Sequence, residues 1–147
     1  MRRILIEIND IKLTATILNS KAADAIYNAL PFKGKVQRWG EAILFDTPVK
    51  MDVESKATKN IEIGDIAYSA MDSSFCIFFG KTPFSTSKKP KAHNLVNVFG
   101  KVDGNLELLK RISSQSQIQI KRIYNQKTDK STNNSKGRVI PLWQETA

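Results

Sequence analysis

The stretch "SSFCIFFGKTPF", residues 73–84, places five consecutive apolar residues before a glycine, a lysine and a Thr-Pro pair. A strand whose apolar residues do not alternate with polar ones is typical of burial on both faces. Successive side chains of a strand point to opposite sides, so Cys76 and Phe78 share one face and the other three apolar residues share the opposite face. Either the strand is simply buried, or one of its faces forms the wall of a pocket.

Composition indicates one globular domain. The chain has 147 residues, of which 41% are apolar and 8% aromatic, and a single core of this size can stabilise a fold. Its first residues, "MRRILIEIND", alternate apolar and polar side chains, which argues against a signal peptide. Cys76 has no partner for an internal disulfide and is expected to be a reduced, buried thiol. These features predict a cytoplasmic protein without a membrane-spanning segment.

The charge of the chain is strongly positive. A net charge of +9 and a pI near 9.7 favour contact with polyanions. No helix-turn-helix, zinc-finger or RNP-like aromatic pattern accompanies this charge, so specific nucleic-acid binding is kept only as an alternative function.

The first third of the chain predicts a hairpin and a helix. "RRILIEIN" and "IKLTATIL" alternate with period two around Asn9 and Asp10, a pair suited to a tight turn. "SKAADAIYNAL" then shows helical spacing, with Ser20 as the cap and Pro31 as the end.

The middle of the chain predicts short strands. After a turn at "PFKG", the segment "KVQRWGEAILFDTPVKMDV" indicates two or three strands, with Gly40 suggesting a bulge. "IEIGDIAYSA" indicates a strand, a turn at Gly64 and Asp65, and another strand. The segment from Lys81 to Asn94 is expected to be a long loop, and it contains four lysines and no acid. Its lysines are either simply solvated or form a rim that attracts an acidic peptide or small anion.

The last elements complete a barrel. "LVNVFGKV" and "QIQIKRIY" read as strands, and "NLELLKRI" as a second short helix. About eight short strands and two short helices predict a mainly β protein, a closed antiparallel barrel capped by helices, over residues 1–124. Residues 125–147 are polar except for an apolar end at 139–143. This tail is expected to be flexible, and its end could dock on the barrel or on a neighbouring chain, giving a monomer or a homodimer.

Four motifs resemble a known family. "WGEAILFDTPV", "EIGDIAY", "CIFFGKTP" and "VNVFGK" occur in this order at Trp39–Val49, Glu62–Tyr68, Cys76–Pro83 and Val96–Lys101. In this order, and with "LELLKRI" after them, residues 1 to about 124 resemble the small bacterial and archaeal cyclophilin-like proteins, which are related in fold to the cyclophilins. The resemblance implies an eight-stranded barrel closed by two helices.

The resemblance implies a ligand groove more directly than an activity, because the functions of this small family are largely unassigned. Cyclophilins are peptidyl-prolyl isomerases: an arginine hydrogen-bonds near the prolyl nitrogen and lowers a barrier of about 18–20 kcal/mol. The segment that supplies this arginine has no clear counterpart here, and Arg38 is the arginine nearest that place in the order. In an ungapped match, the pocket phenylalanine falls at Cys76 and the pocket tryptophan at Phe84.

In the resembling fold, the outer face of the "FCIFF" strand forms the groove. The expected groove residues are Trp39, Cys76, Phe78 and Phe84, with Arg38, Glu41 and Asn97 as polar anchors. Phe45 and Phe79 are expected to fill the interior instead. For Asn97, a hydrogen bond to a ligand and a hydrogen bond to the backbone within the sheet remain equal alternatives.

No cofactor or metal is expected. His93 is the sole histidine, and the acids are dispersed among the predicted strands. The sequence therefore predicts a binding protein for a peptide segment or small molecule. The alternatives are a divergent prolyl isomerase that uses Arg38 as its catalytic residue and a basic protein associated with nucleic acid.

Overall fold

The computed structural model describes residues 2–124, which form ten strands and two short helices. The first five strands are β1 (Arg3–Ile8), β2 (Ile11–Ile17), β3 (Phe32–Lys35), β4 (Gln37–Arg38) and β5 (Ala42–Asp46). The other five are β6 (Thr58–Asn60), β7 (Asp65–Ser69), β8 (Ser74–Phe78), β9 (Lys91–Asp103) and β10 (Gln117–Ile123). The helices are α1 (Lys21–Ala29) and a 3₁₀ helix (Leu106–Arg111). The tail predicted at 125–147, with its possible role in a homodimer, lies outside the described residues.

The strands form one antiparallel sheet. Its order is β3-β10-β1-β2-β9-β7-β8-β5-β4, and β6 pairs separately with β9. Within residues 2–124 no ladder of hydrogen bonds joins the edge strands β3 and β4, so closure of the predicted barrel is not confirmed. The edges nevertheless approach each other: a Cβ atom on Gly34 of β3 would lie 3.1 Å from the ring of Phe45 in β5.

The predicted hairpin and helix are confirmed. β1 and β2 pair along their whole length around a turn in which Asn9 has a φ of 56°, a conformation that Asn tolerates better than most residues. The hydroxyl of Ser20 accepts a hydrogen bond from the Ala23 N–H at 3.1 Å and so caps α1. Helix α1 has nine residues. In the described part of the chain, no helix is long and apolar enough to cross a membrane.

The structure has ten strands where about eight were expected, and two segments differ from the prediction. Phe32–Lys35, expected as a turn, is strand β3, because Phe32 packs its ring 6.0 Å from Phe45 while Gly34 permits the close approach. The strand expected at "IEI" lies three residues earlier, at Thr58–Asn60. Gly40 belongs to a two-residue hairpin loop rather than a bulge, since Trp39 and Ala42 exchange both backbone hydrogen bonds.

Strand β9 is longer than expected and has two halves with different partners. Its first residues, predicted as the end of a loop, pair with β6: Asn60 lies opposite Lys91 and Thr58 opposite Val96. Its later residues pair with β7 and β2, with a register irregularity where Ile66 and Ala67 meet the strand. Such an irregularity bends a strand, so one β9 can serve two pairings.

The main core lies on one side of the sheet and centres on Phe75. The Phe75 ring is fully buried, with centroids 5.2 Å from Phe45 and 5.4 Å from Phe99. Phe79 belongs to the same cluster, so the interior positions predicted for Phe45 and Phe79 are confirmed. Helix α1 adds Ala22, Ala23 and Ile26 to this core.

Truncating Phe75 should cost far more stability than truncating Phe84. Phe75→Ala leaves a cavity among three aromatic rings and should lower the free energy of unfolding by about 3–5 kcal/mol. Phe84→Ala removes the same atoms from a side chain that is 49% exposed and should cost under about 1 kcal/mol. Denaturant melts of both variants measure the difference. Equal losses would show that the Phe75 ring does not occupy the core as described.

Candidate functional site

Strand β8 is buried on both faces, as its sequence predicts. Phe75 and Ile77 belong to the main core, whereas Cys76 and Phe78 belong to a second apolar cluster. The predicted division of its side chains between two faces is therefore confirmed.

The second cluster lies on the outer face of the sheet, under the first half of β9. Its buried members are Ala42, Ile61, Ala67, Cys76, Phe78, Ala92 and Val96. Trp39, Leu44 and Val98 are partly buried against it. Cys76 and Phe78 are only 1% exposed, whereas the cover leaves the partly buried members of the cluster open to solvent on one side.

The incomplete cover leaves a cavity of about 200 Å³. The floor and walls come from β4, β5, β8 and β9, and the residues around it are Gln37, Arg38, Trp39, Leu44, Ser69, Asp72, Cys76, Phe78, Ala92, His93, Asn94 and Val96. Of the predicted groove residues, the structure brings Trp39, Cys76, Phe78 and Arg38 together here. Six of the twelve lining side chains are apolar and six are polar or charged, a mixture found in small-ligand sites.

Three aromatic rings contact one another at the edge of the cavity. The Trp39 centroid lies 5.5 Å from that of Phe84 and 6.3 Å from that of His93, and the Phe84 and His93 centroids are 4.9 Å apart. We call Trp39, Phe84 and His93 the aromatic trio. Phe84 does not line the cavity itself but supports the two rings that do.

The loop that carries Phe84 is fixed at both ends. The Thr82 hydroxyl donates to the Lys91 carbonyl at 2.6 Å, and the Ser85 hydroxyl accepts from the Thr82 N–H at 2.9 Å. A Cβ atom on Gly40, whose φ is 59°, would lie 2.9 Å from the Lys81 carbonyl, so the β4–β5 hairpin packs directly on this loop. These contacts hold the aromatic trio in place.

Arg38 contributes to the cavity wall, but its guanidinium is directed to backbone carbonyls. The Nε atom donates to Gly40 at 3.0 Å, and Nη1 donates to Ile112 at 2.5 Å and to Lys110 at 3.3 Å. The guanidinium carbon also lies 5.1 Å from the centroid of the Phe79 ring, which belongs to the main core. Arg38 therefore ties the β4–β5 hairpin to the end of the 3₁₀ helix.

Glu41 does not join the cavity. It lies in the hairpin loop, where its N–H donates to the Lys81 carbonyl at 2.8 Å and its carboxylate is 3.9 Å from the Lys110 Nζ.

Asn97 lies on the opposite face of the sheet from the cavity. It pairs with Tyr68, which belongs to the main core, and its Oδ1 accepts from the Glu54 N–H at 3.0 Å. Its buried Nδ2 has no hydrogen-bond partner among the described residues. Its hydrogen bond goes to backbone, as one predicted alternative had it, but the donor lies in the loop before β6 and not within the sheet.

Sequence reasoning missed eight of the twelve residues that line the cavity. Asp72 lies in the turn between β7 and β8, and Ala92, His93 and Asn94 lie in the part of β9 that was expected to be a loop. One signal was present: Ala92 and Val96 are apolar residues spaced by an even number in a segment otherwise rich in lysine. This segment is a strand because it pairs with β6, and that pairing is a tertiary contact that the local sequence does not show.

Two of the four lysines of the 81–94 segment line a different, polar groove. This groove has a volume of about 220 Å³ and is lined by Lys89 and Lys91 together with residues of β6 and the segment after it. Lys89 is paired with Glu62 at 3.1 Å. The expected basic rim is thus separate from the apolar cavity.

Among the described residues, the cavity has neither a reactive thiolate nor a cluster of metal ligands. Burial, and secondarily the negative charge of Asp72, raises the pKa of the Cys76 thiol to about 12, so the thiol stays protonated. Among residues 2–124, no three His, Cys, Asp or Glu side chains come together as a metal site requires.

The Cys76 thiol should be nearly inert in the folded protein. A rise of its pKa from 9.0 to about 12 lowers the thiolate fraction at neutral pH by about a thousandfold, and burial blocks the reagent further. Iodoacetamide should therefore react at least about a hundredfold more slowly than with the unfolded chain. A Met71→Cys, Cys76→Ser variant is the control, since Met71 is 76% exposed and a cysteine there should react freely. Equal rates for Cys76 in the folded and unfolded chains would contradict its burial.

Comparison with known proteins places the fold in a family. A family model described as cyclophilin-like matches residues 2–121. Similar solved structures include the hypothetical protein AF2241 from Archaeoglobus fulgidus, with a TM-score of 0.71 and 28% identity over 83% of this chain and 95% of that one. Another is McbB in complex with tryptophan, with a TM-score of 0.63 and 13% identity over 94% of this chain but 46% of McbB. A comparison with curated proteins gave no match. The chain belongs to the cyclophilin-like family.

Proposed function

We propose that this protein binds a peptide segment or a small molecule by taking one apolar group into the outer-face cavity. The observation that carries the proposal is the cavity between β8 and the first half of β9, with Cys76 and Phe78 at its wall and the aromatic trio at its edge. Exposed aromatic rings beside an apolar cavity are a common form of ligand site.

The size of the cavity limits the ligand. Its volume of about 200 Å³ is below the range of about 300–1,000 Å³ that holds a drug-sized molecule, so one side chain or one small ring is the natural occupant. Burial of such a group stabilises a complex by about 1.5–3 kcal/mol. A ligand that binds tightly must therefore make further contacts outside the cavity, for which the aromatic trio is available.

We infer that efficient prolyl isomerase activity is absent. The isomerase mechanism needs an arginine donor beside the prolyl nitrogen, and the Nε and Nη1 donors of Arg38 are engaged by the carbonyls of Gly40, Lys110 and Ile112. Redirecting this guanidinium would break the contacts that hold the β4–β5 hairpin. The family resemblance supports a shared fold and groove position, and a shared fold alone does not carry an activity.

Specific nucleic-acid binding is the less favoured alternative. The positive charge of the chain supports general attraction to polyanions, but the cavity itself is apolar and contains the carboxylate of Asp72. The cytoplasmic location expected from the sequence fits any of these functions and distinguishes none of them.

Binding of a neutral apolar probe should depend on the cavity. N-acetylphenylalaninamide should bind weakly, and Trp39→Ala should raise its Kd about tenfold, because about 1.4 kcal/mol of contact is lost. Cys76→Leu should abolish binding by filling the cavity. Leu95→Ala is the matched control: Leu95 is exposed on the same strand as Ala92 and Val96 but does not line the cavity, so its Kd should stay within about twofold.

Calorimetry or NMR titration measures these constants, and backbone NMR spectra check that each variant is folded. An unchanged Kd in both folded cavity variants, or no binding to the wild type by a panel of apolar side-chain analogues, would refute the proposed site.

The protein should not accelerate prolyl isomerisation. In a protease-coupled assay on a panel of X-Pro peptides, the rate with the protein should equal the uncatalysed rate, because three backbone carbonyls hold the Arg38 guanidinium and it cannot turn toward a prolyl nitrogen without breaking these bonds. Arg38→Ala is the control variant and should give the same uncatalysed rate. Acceleration that disappears in Arg38→Ala would establish an isomerase and overturn this inference.

A further inference from the structure

One carboxylate lies at the apolar cavity. Asp72 is the only acid among the residues that line it, in the turn between β7 and β8. The hydroxyl of Ser69 is 3.5 Å from Asp72 Oδ2, and the charge of Asp72 acts on the buried thiol of Cys76. The carboxylate is thus close enough to influence a group at the cavity wall.

This carboxylate has no cationic partner in the described part of the chain. None of the ion pairs there involves Asp72. Arg38 is the one lysine or arginine that lines the cavity, and its guanidinium is bonded to backbone carbonyls elsewhere. Lys89 and Lys91 line the separate polar groove. Arg38 keeps its positive charge, but its guanidinium lies over the Phe79 ring of the main core, so Asp72 is, among the described residues, the charged group at the cavity with no bonded partner other than a hydroxyl, although the chain as a whole carries +9.

We propose that the cavity selects apolar ligands that carry a primary ammonium group, with the ammonium at Asp72 and the apolar part against Cys76, Phe78 and Trp39. This inference rests on the proposed function of the same cavity. An ammonium and a carboxylate form a charge-assisted hydrogen bond, which is stronger than one between neutral groups. Such an ammonium occurs in free amines and amino acid derivatives and at the amino terminus of a peptide.

Three probes with one phenyl skeleton separate charge from shape. Phenylalaninamide carries an ammonium, N-acetylphenylalaninamide is neutral, and N-acetylphenylalanine carries a carboxylate. Because Asp72 is exposed to solvent, the wild type should bind phenylalaninamide about three- to fivefold more tightly than the neutral probe, and the anionic probe most weakly. Calorimetry or NMR titration at low and moderate salt gives the three constants.

Asp72→Asn should remove the preference for the cationic probe while leaving the Kd of the neutral probe within about twofold. Asp10→Asn is the control, because Asp10 is exposed in the β1–β2 turn and the substitution changes the net charge of the chain equally. The control should keep the preference, since the attraction is local rather than a property of the whole surface.

A fourth probe distinguishes the sources of the ammonium. Phe-Gly-Gly-amide with a free amino terminus should bind more tightly than phenylalaninamide if the natural ligand is a peptide terminus, and no more tightly if it is a small amine. Its N-acetylated form should lose the preference in either case.

The other outcomes separate this inference from the proposed function. Equal binding of the cationic and neutral probes would overturn the selection for ammonium and leave the apolar site standing. Tightest binding of the anionic probe would also overturn the selection for ammonium. It would indicate that the lysines of the polar groove determine which probe binds. Failure of all three probes to bind would refute the ammonium selection together with the cavity as a site for this skeleton.

Discussion

Burial of both faces of strand β8 is the constraint on which the rest of the structure depends. The strand pairs with β5 on one side and β7 on the other, so its backbone is satisfied and its side chains must be covered above and below the sheet. Phe75 and Ile77 are covered by the main core. Cys76 and Phe78 need a second cover, which the first half of β9 and its partner β6 supply.

The second cover is thin, and its incompleteness produces the candidate site. A ribbon of two short strands cannot fill the whole outer face, so a cavity of about 200 Å³ remains beside Cys76 and Phe78. Hydrogen bonds fix the segments around the cavity. Thr82 joins the two ends of the 82–91 loop, and Arg38 joins the β4–β5 hairpin to the 3₁₀ helix. A site held in this way loses little conformational entropy when a ligand binds.

Local patterns predicted the elements whose neighbours are close in sequence. The hairpin turn at Asn9, the cap at Ser20 and the division of β8 into two faces all follow from residues within a few positions of each other. Phe32–Lys35 looked like a turn because Pro31 and Gly34 are turn residues, and it became a strand through pairing with β10.

The site was harder to predict because side-chain direction depends on register. Cys76 and Phe78 line the cavity together with Trp39, and the shared face of the first two is visible in the sequence as the alternation of a strand. Asn97 does not line it, because its position on the opposite face follows from the pairing with Tyr68, which lies beyond the irregularity in β9. Asp72 gave no pattern at all in the sequence, since only the turn between β7 and β8 brings it to the cavity.

Intermolecular NOEs between the phenyl protons of bound N-acetylphenylalaninamide and the methyl groups of the protein are the most direct measurement. The cavity between β8 and β9 predicts NOEs to Leu44 of β5 and to Ala92 and Val96 of β9, which line it. NOEs to other methyl groups, with none to these three, would show that the ligand binds elsewhere and that the outer-face cavity is only a packing defect.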